Sequence, residues 1–269
     1  MRHGRPARET HAQDAGYWRD ALCRVHIWLD RLSRRKEVFT MGTAHTMSKS
    51  PPEEARRLHM TYEEFLAWAD EDVHAEWVDG EVIVFMPPKT RHQSLVYFLT
   101  QLLGAYVDFF RLGKLLFAPF EMRLPSSARE PDILFVSQAN LHRLTPERLH
   151  GAADLVVEVV SEDSQRRDRV QKFIEYQSAG VREYWLVDSQ PDVQPGFYFL
   201  NEKGRFEPAQ VEEGVFRSRV LTGFWLRTEW LTASGMPDPI TLFAEIVGLP
   251  EEVKQMLRRI AEEGPRMPG

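Results

Sequence analysis

The sequence predicts an α/β fold with a mixed sheet flanked by helices and with additional β hairpins, and three stretches carry that prediction. "LVVEVV", residues 155–160, is a run of branched aliphatic residues broken by one acid, the mark of a strand buried on both faces. Residues 90–111 place Leu95, Phe98, Leu99, Leu102, Leu103, Tyr106 and Phe110 three and four apart, the spacing of a long helix with a buried face. "AEWVDGEVIVF" sets strand-type residues on either side of Asp79-Gly80, a strong signal for a two-residue hairpin turn.

The remaining elements follow in order. Thr61 with Glu64 three residues on forms a capping box that opens a short helix, TYEEFLAWAD. After the hairpin and the long helix, which Gly113 is expected to stop, "LLFAPFEMRL" and "PDILFV" read as strands joined by a polar loop, "PSSARE". A helical connector is expected around residues 145–150, then the strand LVVEVV, then a helix from Arg166 to Ala179 ended by Gly180. "EYWLVD" is the next strand, with Tyr184 and Trp185 expected in the core. Residues 196–231 suggest hairpins built from GFYFL, RFEPAQV and VFRSRV, and EEVKQMLRRIAEE closes the chain as a helix. The organised domain spans residues 58–235, with a helical tail over 236–269. Ahead of it lies an extension, residues 1–57, in which MGTAHTMSKSPP reads as a linker. YWRDALCRVHIWLDRLSRRK within that extension has apolar residues at helical spacing (Trp18, Leu22, Val25, Leu29, Leu32).

Composition narrows the classes. With 269 residues, 43% of them hydrophobic and 28% charged, the chain can bury one substantial core without staples. Its single cysteine, Cys23, excludes an internal disulfide framework and any CxxC metal pair, which fits a reducing cytoplasm. No leader-type apolar segment opens the sequence and no 18 consecutive residues are apolar, so neither secretion nor a membrane partner is expected. Charge is uneven: residues 1–57 carry 12 Lys/Arg and 7 Asp/Glu, residues 58–235 carry 18 and 27, and residues 236–269 carry 4 and 6. The acidic middle argues against holding duplex DNA by bulk electrostatics alone. GxxxxGK[ST], HExxH, GxSxG and a GxGxxG after a strand are all absent, which sets aside the nucleotide, zinc-protease and α/β-hydrolase readings.

Glu158 raises the chemical question. An ionised carboxylate inside an apolar strand costs several kcal/mol or more unless it is protonated, paired with a cation or bound to a metal. Asp132, opening PDILFV, is the second acid at a strand position, where it is either a turn residue or half of a pair with Glu158. Two carboxylates on neighbouring strands suit a hard divalent cation such as Mg²⁺, with a backbone carbonyl beside Glu158 as a further oxygen ligand. Asp168, Lys172 and Tyr176 share one face of the following helix, so Lys172 can point back toward the strand end. The plainer readings are a structural ion pair of Glu158 with Arg166 or Lys172, and an exposed Asp168–Lys172 pair. Arg166, Arg167 and Arg169 form a basic cluster that either steers phosphate or is a solvated face, and His92 either approaches the site or packs at the helix start.

The combination of "EPDILFV", "LVVEVVSEDS" and "RDRVQKFIEYQSAGVREYWLVD", with "EWVDGEVIVFMPPKTRHQSL" upstream, resembles the Uma2 (DUF820) family of the PD-(D/E)XK nuclease superfamily over roughly residues 58–232. That resemblance implies a restriction-endonuclease-like fold and a Mg²⁺-dependent endonuclease, with Mn²⁺ as a possible substitute and nucleic acid, DNA foremost, as partner. It makes Asp132 and Glu158 the metal-binding acids and the carbonyl of Val159 the backbone ligand, and it places a glutamate at Glu76, which is either a third acidic ligand or a solvated hairpin position. The superfamily pattern has lysine two residues after the glutamate, where this chain has Val160; Lys172 is the residue that matches the displaced lysine of Uma2-like sequences. The alternatives are a nuclease fold that no longer cuts and serves as a binding module, or a metal-dependent hydrolase of a smaller phosphate substrate. Restriction enzymes often act as dimers, so a homodimer is compatible with the resemblance.

Overall fold

The computed structural model describes residues 57–69, 75–84, 88–160, 167–232 and 235–264, without the side chains of Arg57 and of residues 167–169. The predicted amphipathic stretch and linker of the extension, Arg166, and the side chains of Arg167, Asp168 and Arg169 therefore lie outside the described residues.

Strands β1 (Arg57–His59), β2 (Ala75–Val78), β3 (Glu81–Val84), β5 (Glu121–Arg123), β6 (Ser127–Arg129) and β8 (Arg148–His150) form one sheet, in the order β1-β3-β2-β6-β5-β8. Strands β4 (Gly113–Phe117), β7 (Ile133–Ser137), β9 (Leu155–Val160), β10 (Glu183–Asp188), β11 (Gly196–Leu200) and β12 (Phe206–Pro208) form the other, in the order β12-β11-β10-β9-β7-β4. Both sheets are mixed: β9 pairs parallel with β10 and antiparallel with β7, while β5 pairs parallel with β8 and antiparallel with β6. A separate hairpin joins β13 (Val215–Arg217) to β14 (Trp225–Arg227). Helices are α1 (Tyr62–Trp68), α2 (Thr90–Phe110), α3 (Phe173–Ala179), α4 (Glu229–Thr232), α5 (Pro239–Ile246) and α6 (Glu251–Glu263). No helix of the described residues is long and apolar enough to cross a membrane.

The second sheet is buried on both faces, as LVVEVV requires: all six residues of β9 and all six of β10 are buried. One face, with Ile133, Phe135, Leu155, Val157, Val159 and Trp185, packs on the Leu95, Phe98, Leu99, Leu102 and Leu103 stripe of α2. The other, with Leu134, Val136, Val156, Val160 and Tyr184, meets Tyr176 of α3 and Met122 and Leu149 from the first sheet. Glu158 shares that second face by the two-residue alternation of a strand. At the far end of β7, buried Asp154 accepts the Ser137 N–H at 2.8 Å and the Asn140 amide at 2.8 Å, with Arg182 at 3.3 Å.

The capping box at Thr61 and Glu64 forms, and Asp79 and Gly80 both take positive φ (48° and 89°), the backbone of a tight hairpin turn. Gly180 ends α3 in the left-handed conformation. Elsewhere the structure differs. Arg111, not Gly113, caps α2 at φ 53°; Gly113 opens β4, where a Cβ would collide with the Val136 carbonyl oxygen. "PSSARE" is not a polar loop throughout, because Ser127–Arg129 is a buried strand held between β2 and β5. The helical connector lies earlier, as a 3₁₀ turn over Gln138–Arg143, and Arg148–His150 pairs with β5 as a strand. The helix expected from Arg166 begins as a wide π-type turn, Arg167–Lys172, before α3.

Although burial pushes the Asp154 carboxyl up, its hydrogen bonds to Asn140 and Ser137 hold it below the usual aspartate value. A depressed folded-state pKa contributes stability present above the unfolded value and lost as pH falls through the folded one. Asp154→Asn is therefore expected to cost about 1–3 kcal/mol in urea unfolding at pH 7. The gap to wild type should narrow below about pH 4; a gap that does not change with pH would contradict this role.

Candidate metal-carboxylate site

The β7–β9 register pairs Ile133 with Val157, Leu134 with Val156 and Phe135 with Leu155, so one step further sets Asp132 opposite Glu158. Residues directly opposite in an antiparallel pair project to the same face. The Asp132 carboxylate is fixed by the Val159 N–H, which donates to Oδ2 at 2.7 Å, and His92 Nε2 lies 3.3 Å from Oδ1. In an extended strand the N–H and C=O of one residue lie on the same edge. The Val159 carbonyl is thus directed to the Asp132 side, just where β7 begins.

Glu158 is 3% exposed and carries two donors on Oε1: the Lys172 ammonium at 2.9 Å and the Tyr176 hydroxyl at 2.7 Å. Lys172 also lies 3.0 Å from Glu76 Oε1, so one buried ammonium joins a carboxylate of the second sheet to one of the first. Glu76 is placed by the β2–β6 register, which pairs Trp77 with Ala128 and Val78 with Ser127 and so sets Glu76 opposite Arg129. The Arg129 guanidinium donates to Glu76 Oε2 at 2.9 Å and, through Nε at 2.8 Å and Nη2 at 2.5 Å, to Glu175 Oε2. Ser127 closes the far end with a hydrogen bond from its hydroxyl to Glu175. The Glu130 N–H donates to Glu76 Oε1 at 3.2 Å. Charges alternate along this buried chain, Glu158, Lys172, Glu76, Arg129, Glu175, and each ion has its counter-ion in hydrogen-bonding geometry.

The electrostatics follow from that packing. Burial alone would lower the Arg129 pKa, but Glu76 and Glu175 raise it, and the guanidinium stays charged. Burial, then Glu158 and Glu76, push the Tyr176 phenol well above its ordinary value, which keeps its proton for the bond to Glu158. Burial first, then the negative charge of Glu76 and Glu121, push the Glu130 carboxyl up to about 7, with Lys172 opposing. The side chains of Glu76, Arg129, Lys172 and Glu158 are at most 4% exposed, whereas Asp132 and His92 at one end and Glu175 at the other are partly exposed.

The structure brings together Asp132, Glu158, Lys172 and Glu76 from four separate segments, with Val159 and Tyr176 beside them. His92 also reaches the site, at Asp132. Tyr184 and Trp185 are fully buried core residues. Arg129, Glu130 and Glu175 had no signal in the sequence: Arg129 sits in a Ser-rich stretch that mimics a loop, and Glu175 looks like any acid on a helix. The only hint was position, since Arg129 and Glu130 immediately precede the Pro131-Asp132 pair.

Oxygen donors from Asp132, Glu158 and the Val159 carbonyl match the chemistry of a hard divalent cation. Among the described residues no three His, Cys, Asp or Glu side chains form a group able to hold a metal by themselves, so any ion here must draw on backbone or solvent oxygen as well.

The model of the Uma2 family, described as "Putative restriction endonuclease", matches residues 62–229. Among solved structures, one titled "Crystal structure of a putative nuclease belonging to DUF820", from Anabaena variabilis, is similar with a TM-score of 0.54 and 17% sequence identity. The match covers 64% of this chain and 97% of that one, a likeness of fold. No curated protein matches the chain.

Replacing Arg129 by Leu removes the cation that Glu76 and Glu175 share and is expected to cost about 3–5 kcal/mol in urea unfolding. Arg129→Lys should recover only part of this, since one ammonium cannot reproduce the guanidinium fork. An Arg129→Leu protein as stable as wild type would show that the buried chain of charges is not what holds the sheets together here.

Proposed function

The chain belongs to the Uma2 family, and from that premise we propose that it is a divalent-metal-dependent nuclease that hydrolyses phosphodiester bonds of nucleic acid, with DNA as substrate and Mg²⁺ as the physiological ion. The observation that supports this reading best is the cross-strand placement of Asp132 opposite Glu158, tied by the Val159 N–H at 2.7 Å. Asp132, Glu158 and the Val159 carbonyl would hold the ion, with Glu76 behind them on the far side of Lys172. When bound, a divalent cation polarises a phosphoryl oxygen and lowers the pKa of its water.

The chain's own residues supply the rest. The Val159 N–H and His92 hold the Asp132 carboxylate in one orientation before any substrate arrives. Tyr176 and Lys172 give the Glu158 carboxylate the donors that an isolated acid in the core would lack. Lys172 keeps a positive charge beside the metal-binding acids, where it can orient the attacking water or offset the charge that develops on the phosphate. The wide turn over Arg167–Lys172 delivers it from a helix instead of from β9, where Val160 occupies the position two residues after Glu158. Only the location of the ammonium matters to that role, not the backbone that carries it.

A second reading, a nuclease fold that binds without cutting, is favoured by one observation: the Lys172 ammonium lies directly on Glu158 Oε1. The two readings separate on metal. With Mg²⁺ or Mn²⁺, the wild-type protein is expected to cleave plasmid or oligonucleotide substrates, and Glu158→Gln and Asp132→Asn to reduce the rate by about 10²–10³-fold or more with the fold retained by circular dichroism. Metal-dependent cleavage that survives Glu158→Gln would remove the assignment.

A further inference from the structure

We propose that Glu76 is the holding site for the Lys172 ammonium, so that Lys172 and a divalent cation compete for Glu158 and the lysine shifts onto Glu76 when the ion enters. This rests on the metal reading above and assigns Glu76 a positioning role toward Lys172 in place of direct ligation.

The geometry that motivates it is the near-equal sharing of one ammonium, 2.9 Å from Glu158 Oε1 and 3.0 Å from Glu76 Oε1. Lys172 is 3% exposed, so on leaving Glu158 it has no solvent to move into and needs a second anion within reach. Glu76 meets that need and does not depend on Lys172 for its own position. Its other oxygen is held by Arg129 at 2.9 Å, and the Glu130 N–H donates at 3.2 Å to the oxygen that faces the lysine. Arg129 is itself anchored by Glu175, on the helix that follows Lys172. A cation held between Asp132 and Glu158 would face the ammonium across a single carboxylate, and like charges a few ångströms apart repel strongly away from bulk water. A short swing of the Lys172 side chain toward Glu76 relieves that repulsion without breaking the buried network. In the metal-free state Lys172 neutralises Glu158, and in the loaded state the same charge remains beside the site.

Competition for Glu158 requires that removing the Lys172 ammonium, although it belongs to the proposed active centre, tighten metal binding. Calorimetric titration with Mn²⁺ at pH 8, without nucleic acid, is the test. Lys172→Met is expected to bind Mn²⁺ at least about tenfold more tightly than wild type. Lys172→Gln, which keeps hydrogen-bonding capacity without the charge, should change in the same direction and serves if the Met variant does not fold. Glu76→Gln should weaken Mn²⁺ binding, because Lys172 then loses the carboxylate that draws it away from Glu158, and that effect should shrink in the Lys172→Met background. Unchanged or weaker binding by both lysine variants would overturn the competition. An equal loss from Glu76→Gln in both backgrounds would make Glu76 a ligand and overturn the holding role. If wild type and both lysine variants all fail to take up Mn²⁺, the metal reading itself falls.

Discussion

A single buried ammonium, shared between carboxylates from two sheets, is the constraint on which the rest of the centre depends. Glu158 lies among Val156, Val157, Val159 and Val160, where an uncompensated charge would be untenable. Lys172 answers that charge and Tyr176 adds a hydroxyl to the same oxygen. Because the lysine also bonds Glu76, the solution to one local electrostatic problem becomes a cross-link between sheets, extended by Arg129 to Glu175 and Ser127. Ion pairs of this kind add little net stability compared with an apolar core, but breaking one partner is costly. What they do is hold several acids in a fixed arrangement.

The covalent chain makes that arrangement compact. Arg129 ends β6 in the first sheet, and Ile133 begins β7 in the second. Between them Glu130, Pro131 and Asp132 carry the backbone from one sheet to the other, and each charged residue on the way has a different task. Arg129 neutralises Glu76, the Glu130 N–H bonds Glu76, and Asp132 faces Glu158 across the β7–β9 pair. The site thus lies where the two sheets join.

Much of this was legible in the sequence, for reasons that differ by element. The double-sided burial of β9, the hairpin at Asp79-Gly80 and the capping box at Thr61 are written in local patterns that tertiary contacts did not override. So was the requirement that Glu158 have a cation, because an acid in an aliphatic strand admits few solutions. What the sequence concealed was long-range pairing. Nothing local shows that Ser127–Arg129 is a buried strand, because an arginine in a serine-rich stretch has loop composition and only its contacts with Glu76 and Glu175 make burial tolerable. Gly113 likewise has the look of a helix stop in the sequence, whereas it serves the close approach of β4 to Val136. The wide turn ahead of α3 left no periodic trace, since a six-residue departure from helical spacing is too short to register.

The most direct test of the central claim, that Asp132 and Glu158 share a divalent ion, is a crystal structure grown with Mn²⁺ and examined by anomalous scattering. The account predicts a peak between the two carboxylates, within coordination distance of the Val159 carbonyl. An anomalous map with no peak there, and with the Lys172 ammonium still seated on Glu158, would contradict it.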